Sequence, residues 1–223
     1  MVYHDILLAM LGHCGGLIVK SKGALKVRDD FVFLAPFERS IIETAARLGN
    51  SYESIESFIR RVRENLGWRK DTSGSDSLYL RAMIAGLDEI LDVYRSTILS
   101  VEQAVIEDPA LPLTYLATRV GEFELLLPAL LQMCNEAEES QKDNASAISH
   151  EHSQLRGCLL LDLVAKHSRS GVPLVQACCH RILARMNQVL YSQVGAWMLH
   201  GVLADPHREF FLAPAPPAAA AGG

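Results

Sequence analysis

Cys178-Cys179-His180 is the densest group of soft metal ligands and nucleophiles in this sequence of 223 residues. Two thiolates and an imidazole can hold zinc, but successive residues of a helix point about 100° apart and cannot converge on one ion. No fourth ligand lies near, so buried structural thiols are the simpler reading. His150-Glu151-His152 sets two imidazoles in a polar stretch, a weak chelate at most and more simply a solvated loop. Gly12-His13-Cys14-Gly15-Gly16 follows a helical run but lacks the GxxxxGK[ST] spacing that cradles phosphates, and reads as a helix stop. Cys14 next to His13 is adjacency in sequence, not the spatial pairing that activates a thiol. Glu122/Glu124 and Glu136/Glu138/Glu139 lie on polar faces without an aromatic cleft beside them, as solvent-facing charges do. None of these groups supports a catalytic, cofactor-binding or metal-ligating assignment.

Two other features are suited to contacts rather than chemistry. Arg60, Arg61 and Arg63, continued by Arg69 and Lys70, form the main basic cluster. Opposite them on a helix stand Ile55, Phe58, Ile59 and Val62, so the arginines form either a solvated face or a docking face for an acidic partner. Trp197 has Val194, Met198 and Gly201 as helical neighbours, and that company predicts a core anchor.

The elements that must position these residues are helical. From Leu80 the apolar residues run Met83, Ile84, Leu87, Ile90, Leu91, Tyr94, Ile98, Val101 and Val105, in steps of three and four. That is one face of a single helix, predicted over 77–107 and stopped by Asp108-Pro109. A second long helix is predicted from Pro173 to about Ala204, with Gly171 as the break before it. Its buried stripe would be Val175, Cys179, Ile182, Met186, Leu190, Val194 and Trp197, with Arg181, Arg185, Gln188 and Ser192 in water. Shorter helices are expected around 125–131, kinked or restarted at Pro128, and over 155–167. An earlier pair, 37–48 and 52–66, is expected to be separated by a Gly49-Asn50-Ser51 turn. Residues 17–27 alternate around Ser21-Lys22-Gly23 and fit a short hairpin. Residues 141–153 read as a polar loop. Residues 213–223 are only Pro, Ala and Gly, cannot bury a core and are expected to be disordered.

Composition narrows the function classes. With 49% hydrophobic and 21% charged residues the chain is globular in character. A net charge of -5 opposes non-specific nucleic-acid binding, which needs a basic stripe. No apolar run reaches the ~20 residues that cross a bilayer, so no membrane role is expected. Five cysteines without a CxxC pair fit reduced thiols and a cytosolic setting. On these grounds alone the chain is an all-α, elongated bundle of about seven to nine helices. It would serve as a scaffold or a helical adaptor, with a small Cys-dependent enzyme as the more distant rival.

An ordered set of blocks points further. Tyr191 to Phe211, with Ala196-Trp197-Met198-Leu199-His200-Gly201 at its centre and Phe210-Phe211 at its end, resembles the close of the first Grip motif in gamma-tubulin complex components. His4–Gly12 resembles that family's opening helix, and Phe33–Glu38 its next turn. Leu80 with Gly86-Leu87 and Tyr94 resembles its central helix, and Gly157-Cys158 with Lys166–Ser168 and Gly171–Pro173 the link to Trp197. The resemblance spans about residues 1–211 and implies an N-terminal Grip-type domain, with 212–223 as a low-complexity tail. It further implies a structural component supporting microtubule nucleation at microtubule-organising centres and spindle poles, without cofactors. Its implied partners are other complex components, met laterally through this half. Gamma-tubulin is met through a second half, whose motif does not occur in this sequence.

Overall fold

The computed structural model describes residues 2–21, 23–28, 35–68, 77–146, 156–207 and 209–212, without the side chains of 2, 65–68, 141–146 and 156. Arg69, Lys70, Phe33, Leu34, the 150–152 triplet and the 213–223 tail lie outside the described residues. Seven helices and one two-stranded sheet follow in chain order. They are α1 (Val2–Met10), β1 (Ile18–Ser21), β2 (Ala24–Val27), α2 (Pro36–Trp68), α3 (Leu78–Glu107), α4 (Leu113–Val120), α5 (Phe123–Ser146), α6 (Arg156–His167) and α7 (Pro173–His200).

α3 forms where its stripe predicts. Ser77 caps it, the Oγ accepting from the Leu80 amide at 3.0 Å. Asp108 ends it, and Pro109 follows. Its apolar face, from Tyr79 to Val101, is buried against α7 on one side and α1, α2 and α4 on the other. At the crossing with α7, a methyl group on Gly86 would stand 3.1 Å from Ile182 Cα, so glycine sets how closely the two helices approach. Tyr94 is the hub of the centre. Its hydroxyl donates to the Met10 carbonyl at 3.0 Å, and its ring meets Tyr52 and Phe123 at centroid distances of 5.5 and 4.9 Å. One continuous apolar core runs from Ile6 to Met186.

The expected break at Gly49-Asn50-Ser51 is absent, and α2 is one helix of 33 residues. Its buried stripe passes straight through, from Ala45, Ala46 and Leu48 to Tyr52 and Ile55. Burial along an unbroken apolar face outweighs the ~1 kcal/mol that a mid-helix glycine costs. Both polar-looking residues are used for docking. A Cβ on Gly49 would sit 1.8 Å from the Ala9 carbonyl oxygen, so only glycine lets α1 lie against α2 there. The Asn50 side chain accepts from the Leu25 amide at 2.7 Å and donates to the Leu25 carbonyl at 3.2 Å.

That bidentate contact explains the hairpin. β1 and β2 pair antiparallel, Ile18 opposite Val27 and Ser21 opposite Ala24, with Gly23 at φ 85° in the turn. Two strands alone are marginal in water. Here Ile18 and Leu25 are buried against the helices, and the strand edge is held by Asn50.

Two further boundaries differ from the sequence expectation. α5 is not restarted at Pro128: the helix continues through this exposed sixth residue, whose missing N–H leaves the Glu124 carbonyl without its helical donor. α5 also extends to Ser146, well into the stretch expected to be loop. α7 starts at Pro173 as predicted but stops at His200, four residues early. Gly201 takes φ 64°, and its amide and that of Val202 return to the Trp197 and Ala196 carbonyls, a left-handed helix cap.

Candidate assembly interface

The apolar stripe of α7 serves the core only over its first half. Val175, Cys179, Ile182 and Met186 are buried, while Leu190 and Val194 are half-buried. Trp197 is 45% exposed, Met198 72% and Leu199 80%, so the sequence expectation of a core tryptophan does not hold. The reason is positional: the last turn, 197–200, is exposed all round, beyond the reach of the described residues of α3 and α6. His200 and Gly201 are exposed with it, as is Val202. Trp197, Met198, Leu199 and Val202 thus gather four large apolar or aromatic side chains at one helix end. Spread around the last turn, these exposed side chains are the candidate contact site.

The remaining Grip-block residues divide in two. Leu80, Gly86, Leu87 and Tyr94 lie in the core. Of the Phe210-Phe211 pair, Phe210 is buried and Phe211 is half in solvent, the rings 4.2 Å apart.

The basic cluster turns out to be occupied within the fold. Arg61 bonds Glu138 of α5 at 2.5 Å, and Arg63 bonds Asp88 of α3 at 2.8 Å. Asp88 also faces Arg95, which bridges to Asp92, Glu56 and the Tyr52 hydroxyl. These arginines tie α2 to its neighbours, which lowers their value as a docking face; Arg60 remains exposed. Glu136 likewise meets Lys166 and His167 of α6, and the Lys166 hydrogen bond holds its carboxyl below the usual range.

The thiols are unsuited to nucleophilic chemistry. Burial pushes Cys134 up to about 12 and Cys179 to about 11, and raises Cys158 and Cys178. Such thiols stay protonated at neutral pH. Cys14 is exposed, and the glycines beside it serve packing: a Cβ on Gly15 would stand 2.9 Å from the Asp5 carboxylate. Among the described residues no three His, Cys, Asp or Glu side chains are placed to hold a metal ion, and no helix is long and apolar enough to cross a membrane.

A buried polar cluster escaped the sequence reading. After α7 the chain turns back and lays Glu209 and Phe210 against the start of α3. Glu209 Oε2 accepts from the Leu78 amide at 2.8 Å, and the Tyr79 hydroxyl donates to Gln193 Oε1 at 2.7 Å. The available signal was Gln193 itself, seven residues after Met186 and so at a buried position of the same helix face.

Residues 3–221 match the family model described as gamma tubulin complex component N-terminal. Over 220 residues the chain is 34% identical to gamma-tubulin complex component 4 of Mus musculus, covering 96% of this chain and 31% of that protein. Against gamma-tubulin complex component 4 of Arabidopsis thaliana it is 31% identical over 245 residues, covering 94% of this chain and 31% of the relative. Spindle pole body component alp6 of Schizosaccharomyces pombe is 31% identical over 68 residues, which is 30% of this chain and 8% of that protein. The chain thus spans about a third (31%) of the length of these gamma-tubulin complex component 4 relatives. With nearly its whole length inside the N-terminal family model, and with the Grip blocks in order along its helices, this chain belongs to the gamma-tubulin complex component family.

Proposed function

We infer that this chain is a structural, non-catalytic part of a gamma-tubulin complex, acting at microtubule-organising centres in microtubule nucleation. Its role is to pair laterally with the N-terminal parts of other complex components. Family membership over residues 3–221 is the observation that carries this reading. Two structural features support it. The helices are long, and Arg61, Arg63 and Arg95 link α2 to α5 and α3. The end of α7 offers Trp197, Met198, Leu199 and Val202 to a partner. Arg60 lies on the other exposed face and adds at most a charged rim to such contacts.

In this reading gamma-tubulin is held elsewhere in the assembly, and this chain binds it weakly or not at all. Pull-downs with purified N-terminal parts of other components, and separately with gamma-tubulin, test both halves. Binding to at least one component with little retention of gamma-tubulin is the expected result. Tight gamma-tubulin binding by this chain overturns the division of labour. Failure to bind any component favours a helical adaptor outside the microtubule system.

A further inference from the structure

After α7 the chain is attached to the bundle through Glu209, a buried carboxylate without a full set of partners. Glu209 is 2% exposed; its Oε2 accepts from the Leu78 amide, and Ser77 also bonds the carboxylate. Asp205 Oδ2 accepts from the Phe210 amide at 2.8 Å. Their other oxygens, Glu209 Oε1 and Asp205 Oδ1, are buried and unpartnered, as is Gln193 Nε2. A buried, unpaired carboxylate oxygen is costly, the more so when the group carries charge. The segment begins at Gly201, which has a left-handed backbone, and Ala204 lies beside an open cavity of ≈ 400 Å³ between α3 and α7. Leu78, Ala82 and Val189 line that cavity, together with Gln193.

We propose that residues 209–211 dock on the start of α3 as a proton-controlled latch, closed when Glu209 holds a proton and loosened when it is ionised. A proton on Glu209 turns Oε1 into a donor while Oε2 still accepts from Leu78. One proton thereby removes a charge and an orphan acceptor together.

The groups facing Glu209 all bear on its titration. Tyr79 on α3 and Cys158 on α6 are neutral at physiological pH, burial raising both. Arg185 on α7 lines the cavity but is taken up by Glu89. Within the segment, His207 favours the ionised form of Glu209 and Asp205 opposes it. Desolvation is the largest influence and exceeds the hydrogen bonds from Ser77 and Leu78, so the Glu209 carboxyl lies above the 4.5 of a free side chain. A group raised in the folded state stabilises the closed latch fully below the free value and loses that contribution as pH rises through the folded value. Opening therefore accompanies rising pH.

Hydrogen exchange of the Leu78 and Phe210 amides, corrected for intrinsic rates, reads the latch directly, because each donates to one of the two carboxylates. Protection in the wild-type chain should be highest below the free carboxyl value and be lost in part as pH rises through the raised folded value of Glu209. Glu209→Gln keeps the acceptor for Leu78 and supplies a permanent donor, so its protection should be flat with pH. His207→Gln should retain most of the dependence. Flat protection in the wild-type chain overturns the latch. So does an unchanged slope in Glu209→Gln, or a slope abolished by His207→Gln alone.

Discussion

Tyr94 and Trp197 show how far residue type alone predicts a role. Both are large aromatics on the apolar stripes of long helices. Tyr94 is fully buried, bonded to Met10 and flanked by two rings, whereas Trp197 is 45% exposed on a helix end. Tyr94→Ala should therefore cost about 3–5 kcal/mol in denaturant unfolding, the scale for deleting a buried aromatic. Trp197→Ala should cost less than about 1 kcal/mol, as surface changes do, while weakening partner binding. A large stability loss at Trp197 would place it back in the core. The arginines make a similar contrast. Arg61→Ala and Arg63→Ala each remove a partly exposed ion pair, worth about 0–1 kcal/mol. Double-mutant cycles with Glu138 and Asp88 should return coupling in that range, and larger values would mean that the network acts as a unit.

At the scale of the element, α2 carries the main lesson. Gly-Asn-Ser has turn chemistry, yet α2 continues through it because its two faces have partners: α1 and the hairpin on one side, α5 and α3 on the other. Helix propensity predicts that Gly49→Ala should stabilise by about 1 kcal/mol. The structure predicts the opposite sign, a loss of about 1–3 kcal/mol, because the new methyl overlaps the Ala9 carbonyl. Asn50→Ala should cost about 1–3 kcal/mol by leaving the Leu25 amide without its acceptor. In hydrogen exchange the hairpin amides should lose protection before α2 does. A stabilised Gly49→Ala variant, measured by thermal or denaturant unfolding, would contradict the close packing of α1 on α2.

For the molecule as a whole, charge and apolar surface are kept apart. Ion pairs such as Arg61–Glu138 and Arg63–Asp88 link helices, and the end of α7 holds a local group of exposed apolar side chains, while others such as Leu99 and Ile106 are scattered on α3. Association through that end should be insensitive to salt, since screening weakens exposed charges and leaves apolar burial intact. Raising salt from about 0.1 to about 0.5 M should change partner binding less than threefold, while Leu199→Asp should weaken it more than tenfold without unfolding the chain. Strong salt sensitivity together with a silent Leu199→Asp would move the interface to the Arg60 face.

The helices, their order and most of their ends were legible in the chain itself. The stripe from Leu80 to Val101, the Asp108-Pro109 stop and the Gly171–Pro173 start are local patterns, and backbone hydrogen bonding and side-chain periodicity act locally. So was the family, because its blocks are strings of residues in a fixed order. What lay out of reach depends on residues distant in sequence. Gly49 reads as a breaker until Ala9 is brought against it, and the partner of Gln193, Tyr79, lies 114 positions away. Trp197 reads as core because a stripe says which face of a helix is apolar. It does not say where along the helix the neighbouring elements end. Burial is a property of assembled elements, and only the packing of α3 and α6 against the first half of α7 decided which part of that stripe was covered.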